Sequence, residues 1–122
     1  MFGWLTNPLL AVPVIEVGFA LKCLLLITCH HIGDFAFQSQ WMAMEKGKDW
    51  EVMSYHVLMY TVMFVPLAFF LPHMNLAAVL VIFGSHFTID PCKARWKFVK
   101  CIWQDQLFHY GVLALLMAVG WL

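Results

Sequence analysis

Three histidine–aspartate pairs recur at a spacing of four: His30 with Asp34 in CHHIGDF, His86 with Asp90 in HFTID, and Asp105 with His109 in DQLFH. Residues four apart on a helix share a face, one turn from each other. For a chain of 122 residues with six histidines, chance placement gives about 0.4 such pairs, so three rise above the usual background of short motifs. Carboxylates packed together repel unless some are protonated or a cation lies among them. Imidazole and carboxylate are ordinary ligands of divalent ions. The candidate ligands are therefore His30, Asp34, His86, Asp90, Asp105 and His109. They would hold one or two ions, zinc foremost, with manganese and iron as alternatives. Hydrogen-bonded glue between helices and a metal-free proton or ion relay are the competing readings of the same residues.

The elements that must position these pairs are apolar. The chain is 63% hydrophobic and 11% charged, and its seven basic and seven acidic residues cancel. That composition belongs to the membrane class, and the charge balance gives no pull toward nucleic acid. Four stretches are long and apolar enough for a hydrocarbon core of about 30 Å. They lie near 14–33, 52–71, 74–90 and 105–122 within a single domain, 1–122. The first has no basic residue ahead of it and ends in the most polar motif of the chain, unlike a cleaved signal peptide. No stretch alternates as a barrel strand does. The expected fold is all-α, a four-helix transmembrane bundle.

Lys46 and Lys48 lie between the first two spans, and Lys93, Arg95, Lys97 and Lys100 between the last two. The positive-inside rule makes both connections cytoplasmic and both termini periplasmic. In PCKARWKFVKCIW the lysines and the Trp96, Val99 and Trp103 side chains separate at helical spacing. A short amphipathic interfacial helix is expected there between helices three and four, with Asp90 as its N-cap and Pro91 at its first position. Lys22 and Glu16 fall in or near the first span, and Lys22 can snorkel to the outer interface. Trp4, Trp41, Trp50, Trp96, Trp103 and Trp121 fall at or beyond span ends, as an aromatic belt does. The four cysteines have no Cys-x-x-Cys spacing and read as free thiols.

This threading makes the reversed order of the third pair informative. The segments carrying His30 and His86 run toward the cytoplasm and the one carrying His109 runs away from it. In all three the histidine is then deeper and the aspartate nearer the inner surface, about 6 Å apart along the axis. His56, with Tyr60 a turn deeper, joins at the same level from helix two. His31 breaks the register, and His73 belongs to the outer turn. The series HHIGDFAFQ, HFTIDPCKAR and DQLFH resembles an uncharacterised family of small phage and bacterial inner-membrane proteins catalogued as a domain of unknown function. The resemblance covers about Leu24 to Leu116. It implies a bacterial inner-membrane location in a phage or prophage context, and touches His30, Asp34, Gln38, His56, His86, Asp90, Lys93, Arg95, Asp105, Gln106 and His109. It implies no reaction.

The residues suggest one. A metal-dependent hydrolase would use Asp34, His56, Asp90 and Asp105 in catalysis, with Gln38, Lys93, Arg95 and Gln106 on the substrate. A site one or two turns below the inner headgroups favours a lipid phosphate or an isoprenoid-linked phosphate. There is no His-Glu-x-x-His or Gly-x-Ser-x-Gly motif to suggest a protease or esterase. Cation or proton transport, or sensing, is a second reading. A non-enzymatic phage or host membrane interaction protein with a structural metal site is a third. Membrane lipids are the expected partners, with homo-oligomerisation open.

Overall fold

The computed structural model describes residues 5–9, 13–14 and 17–122, so Trp4 and Glu16 lie outside the described residues. The fold is helical. The described strand pairing is one two-residue antiparallel ladder, Leu5–Thr6 against Pro13–Val14. Helix α1 is Phe19–His31, followed directly by a π-helical turn, Ile32–Ala36. A short helix, α2, spans Gln40–Glu45 and is capped by the Ser39 side chain, which accepts from Met42 N. Asp49 caps α3, Trp50–Val62, by accepting from Glu51 N. Beyond α3 the coil tightens into a 3-10 turn, Val65–Phe69, where Pro66 has no N–H to continue the α-helical ladder. Asn75 caps α4, Leu76–Ala94, and α5 is Ile102–Ala118.

α4 packs between α3 and α5, and the π-helical turn closes against α3. α1 reaches α5 at both ends. Lys22 Nζ donates to the Leu122 carbonyl at 3.0 Å, and the Tyr110 hydroxyl meets His31 Nε2 at 2.6 Å. Lys22 is thereby accounted for by a backbone partner at the end of the fold opposite the His/Asp pairs.

Three helical stretches, Phe19–Ala36, Trp50–Phe69 and Leu76–Ala94, are long and apolar enough to cross a membrane. α5 has 17 residues, about 25 Å at 1.5 Å per residue. The outer faces carry large exposed apolar side chains such as Phe19, Leu24, Leu80, Leu107 and Leu115. In water such a surface would associate, whereas lipid solvates it. The interior is divided. Leu26, Phe64, Leu67, Leu71, Met74, Ile82, Leu113 and Leu116 fill one end, and His30, Asp34, Lys46, His56, His86, Asp90, Asp105, Gln106 and His109 fill the other.

One expected element is replaced. No interfacial helix stands between α4 and α5, and Asp90 and Pro91 do not begin a new helix. Instead α4 runs through Pro91 to Ala94, and the chain then reverses with Lys97 at φ 59°. Phe98 N closes the reversal on the Cys92 carbonyl at 2.7 Å. A left-handed residue at the middle of the segment is incompatible with a continuous right-handed helix across it. The amphipathic spacing is real, but no helix reads it out.

Candidate metal centre

The π-helical turn sets the site. A wider turn re-aims the side chains it carries, and such turns often occur at functional positions. Here it carries Gly33 and Asp34. Gly33 lets the turn lie directly on α3: a Cβ there would stand 3.1 Å from the Tyr60 Cα and 3.2 Å from its carbonyl oxygen. That approach carries Asp34 across to α3 and α4. Its Oδ1 lies 3.4 Å from His56 Nε2 and 3.7 Å from His86 Nε2.

The crowding is greatest around His56. Its Nε2 has His86 Nε2 and Lys46 Nζ each at 3.1 Å, Asp34 Oδ1 at 3.4 Å and Asp90 Oδ2 at 3.5 Å. An imidazole nitrogen offers one proton or one lone pair, so hydrogen bonding alone cannot serve four such neighbours. Asp34, His56, His86 and Asp90, all buried, each present one ligand atom, and these atoms all lie within 4.8 Å of one another. Asp34, Asp105 and His109 form a second such group. Within it, Asp105 Oδ1 and His109 Nε2 are buried without a hydrogen-bond partner, 3.6 Å apart. The donor set and the orphaned atoms fit a divalent cation.

Two lysines answer part of the charge. Lys46 Nζ sits 2.7 Å from Asp90 Oδ2, with both side chains buried, and half-buried Lys93 donates to Asp105 Oδ2 at 3.0 Å. Lys46 was expected only as a topology signal. Nothing local in MEKGKDW distinguishes it from a solvated loop lysine; it becomes interior because Gly47 lies directly against the Ala94 carbonyl at the end of α4.

The expected site residues divide by what they touch. His56, His86, His109, Asp34, Asp90 and Asp105 converge. His30 is buried among them but outside both groups, and each of its ring nitrogens is engaged. Its Nδ1 meets the Tyr60 hydroxyl at 2.9 Å, and its Nε2 meets Gln106 Oε1. Gln106 Nε2 donates to Asp34 Oδ2 at 3.1 Å and Asp105 Oδ2 at 3.3 Å. These roles fix one direction of donation. The amide must use Oε1 as acceptor, so His30 Nε2–H donates and Nδ1 accepts from Tyr60. His30 and Gln106 thus hold two carboxylates in place, the usual work of groups lying just behind metal ligands.

Tyr60 also stacks on His86, ring centroids 3.8 Å apart, and His86 stacks in turn on His109 at 4.4 Å. Arg95 is turned away, its guanidinium 4.6 Å over the Trp50 ring and its Nη1 donating to the Lys48 carbonyl at 3.1 Å. Gln38 lines a cavity of about 490 Å³ with Lys46, Lys48, Asp90, Lys93 and Lys97. Asp90 therefore belongs both to the donor cluster and to the wall of a lysine-rich opening. His73 is exposed in the turn before α4, and the four cysteines are free.

Apolar helices around a buried His/Asp cluster that could hold a metal ion define a helical protein of the membrane class. Residues 22–122 match the family described as Protein of unknown function (DUF3307), and the chain belongs to it. No curated protein and no solved structure matches it.

Proposed function

We propose that the chain is one four-helix unit of a bacterial inner membrane and acts as a metal-dependent hydrolase on a lipid phosphate or isoprenoid phosphate. The observation that carries this reading is the environment of His56 Nε2, where four polar atoms stand within 3.5 Å. Asp34, His56, His86 and Asp90 would hold the ion, with zinc the first candidate and manganese or iron the alternatives. Once bound, such an ion supplies Lewis-acid polarisation of a phosphoryl oxygen and an acidified water. The chain's own contribution is positioning. His30 and Gln106 orient the carboxylates, and the lysines of the adjacent cavity attract an anionic headgroup to the wall that Asp90 shares. The volume of that cavity falls in the usual range for small-molecule sites. The exposed apolar faces would leave the substrate's hydrocarbon chains in lipid.

A metal-free polar brace is the second reading, favoured by the Lys46–Asp90 and Lys93–Asp105 pairs. These two lysines face three buried carboxylates, so one negative charge is left to a histidine proton or an ion. Transport has less support. Between Tyr60 and Leu71 the buried polar group among the described residues is Thr61, whose hydroxyl is spent on the Val57 carbonyl.

The test is total metal analysis of untagged, detergent-purified protein prepared without chelator, beside His86→Ala and Asp90→Asn. Stoichiometric metal in the wild type and its loss in both variants is expected. Release of inorganic phosphate from vesicles containing a lipid phosphate should then follow metal content. A folded, metal-free wild type would establish the brace instead, and bound metal without turnover on either phosphate class would remove the hydrolase.

A further inference from the structure

We infer that the centre takes two divalent cations, with Asp34 as the carboxylate between them; this rests on the metal-binding reading above. The two donor groups share that residue and no other. The two oxygens of Asp34 have different surroundings. Oδ1 faces His56 and His86, whereas Oδ2 accepts from Gln106 Nε2, which also donates to Asp105 Oδ2. A carboxylate that belongs to both donor groups, with its two oxygens in different surroundings, is suited to bridging. The second group also has its own sign of a ligand: Asp105 and His109 are buried, and Asp105 Oδ1 and His109 Nε2 have no hydrogen-bond partner. These two atoms face each other at 3.6 Å, beyond hydrogen-bond reach, and burial leaves them without water, so an ion between them would satisfy both. The His86–His109 stack places the two groups side by side.

The groups differ in kind. The first brings two nitrogens and two carboxylates from the chain, a full set for a tetrahedral ion. The second brings one nitrogen and two carboxylates, so an ion there keeps a position for water or a substrate oxygen. Lys93, which pairs with Asp105, lines the lysine-rich cavity. The ion in the second group is the more exchangeable one.

The experiment uses full-length, untagged protein stripped with chelator and titrated with Zn²⁺, and in parallel with Mn²⁺ followed by electron paramagnetic resonance. Two ions per chain are expected in the wild type, released by chelator in two steps, with a spin-coupled Mn²⁺ signal. His109→Ala and Asp105→Asn should each bind one ion, lose the faster step and show an uncoupled signal. His86→Ala should weaken the slower step. Helicity and detergent-particle size identify any variant that fails to fold, and either second-group variant then suffices. One ion in the wild type, unchanged in His109→Ala and Asp105→Asn, overturns the second ion and leaves the first. Two ions retained in both variants also overturn it, because the second ion then binds elsewhere. No ion in the wild type overturns both readings.

Discussion

Lys46 is held between two acceptors that its ammonium can serve together. It offsets the charge of Asp90, and His56 Nε2 can accept a hydrogen bond from it. Removing one partner of a buried pair leaves the other charge uncompensated, at a cost of about 3–5 kcal/mol. Lys46→Met is therefore expected to lower the thermal stability of the metal-stripped protein in detergent by that order. Saturating Zn²⁺ should restore more stability to this variant than it adds to the wild type, because the ion supplies the charge Asp90 has lost. Equal stability of the stripped variant and wild type would show that Asp90 does not depend on the lysine. The contrast with the histidines explains what could be read beforehand. His86–Asp90 and Asp105–His109 announce themselves because four residues of one helix carry both members. Lys46 enters from another element through the close approach of Gly47 to Ala94, and sequence spacing carries no trace of that closure. His30 shows the converse: the register that marks it as a ligand is correct about its face, while its neighbours Tyr60 and Gln106 decide what it does there.

Among the elements, the turn Ile32–Ala36 controls most of the geometry, since it alone carries Asp34 to both donor groups. Gly33→Ala would force a methyl group against the Tyr60 backbone at 3.1–3.2 Å. Overpacking of this kind costs about 1–3 kcal/mol, and the backbone shift that relieves it moves Asp34. The expected result is lower stability together with weaker Zn²⁺ binding by calorimetry, although no ligand has been changed. Gly84→Ala is the matched control. Nothing stands within 4 Å of a Cβ at Gly84, and alanine in a helix interior gains up to about 1 kcal/mol over glycine. If both substitutions leave metal affinity unchanged, the turn does not set the site. The apolar runs each overlap a helix, although the first begins at Val14, in the two-residue strand Pro13–Val14, and α1 begins only at Phe19. The local irregularities escaped them: the π-helical turn, the 3-10 turn at Pro66, and the left-handed Lys97 that replaces an amphipathic helix with a reversal. Each depends on a few backbone angles rather than on a periodic pattern. Pro91 misled because proline at a first helical turn and proline inside a membrane helix, where neighbours tolerate it, look alike in sequence.

At the scale of the whole molecule, α5 decides whether the spans number three or four. The polar end carries Lys46, Lys48, Lys93, Arg95 and Lys97, together with Trp41, Trp50, Trp96 and Trp103; the opposite end carries the turn at His73 and, after α5, Trp121. The Lys22 bond to the Leu122 carbonyl ties the start of α1 to the end of α5. If α5 crosses, His73 and Trp121 share the outer side and exposed Cys101 lies inside. The check is labelling with a membrane-impermeant maleimide in bacterial spheroplasts and inverted vesicles, using single cysteines in a chain whose other cysteines are alanine. Native Cys101 is expected to react in inverted vesicles, and His73→Cys and Trp121→Cys in spheroplasts. Trp121→Cys reacting on the side of Cys101 would mean that α5 does not cross. The donors of α5, Asp105 and His109, would then have to meet α3 and α4 from a helix lying at the membrane surface. Burial of both residues beside His86 argues against that arrangement, since a surface helix could not bring them to the depth of a histidine in the middle of α4.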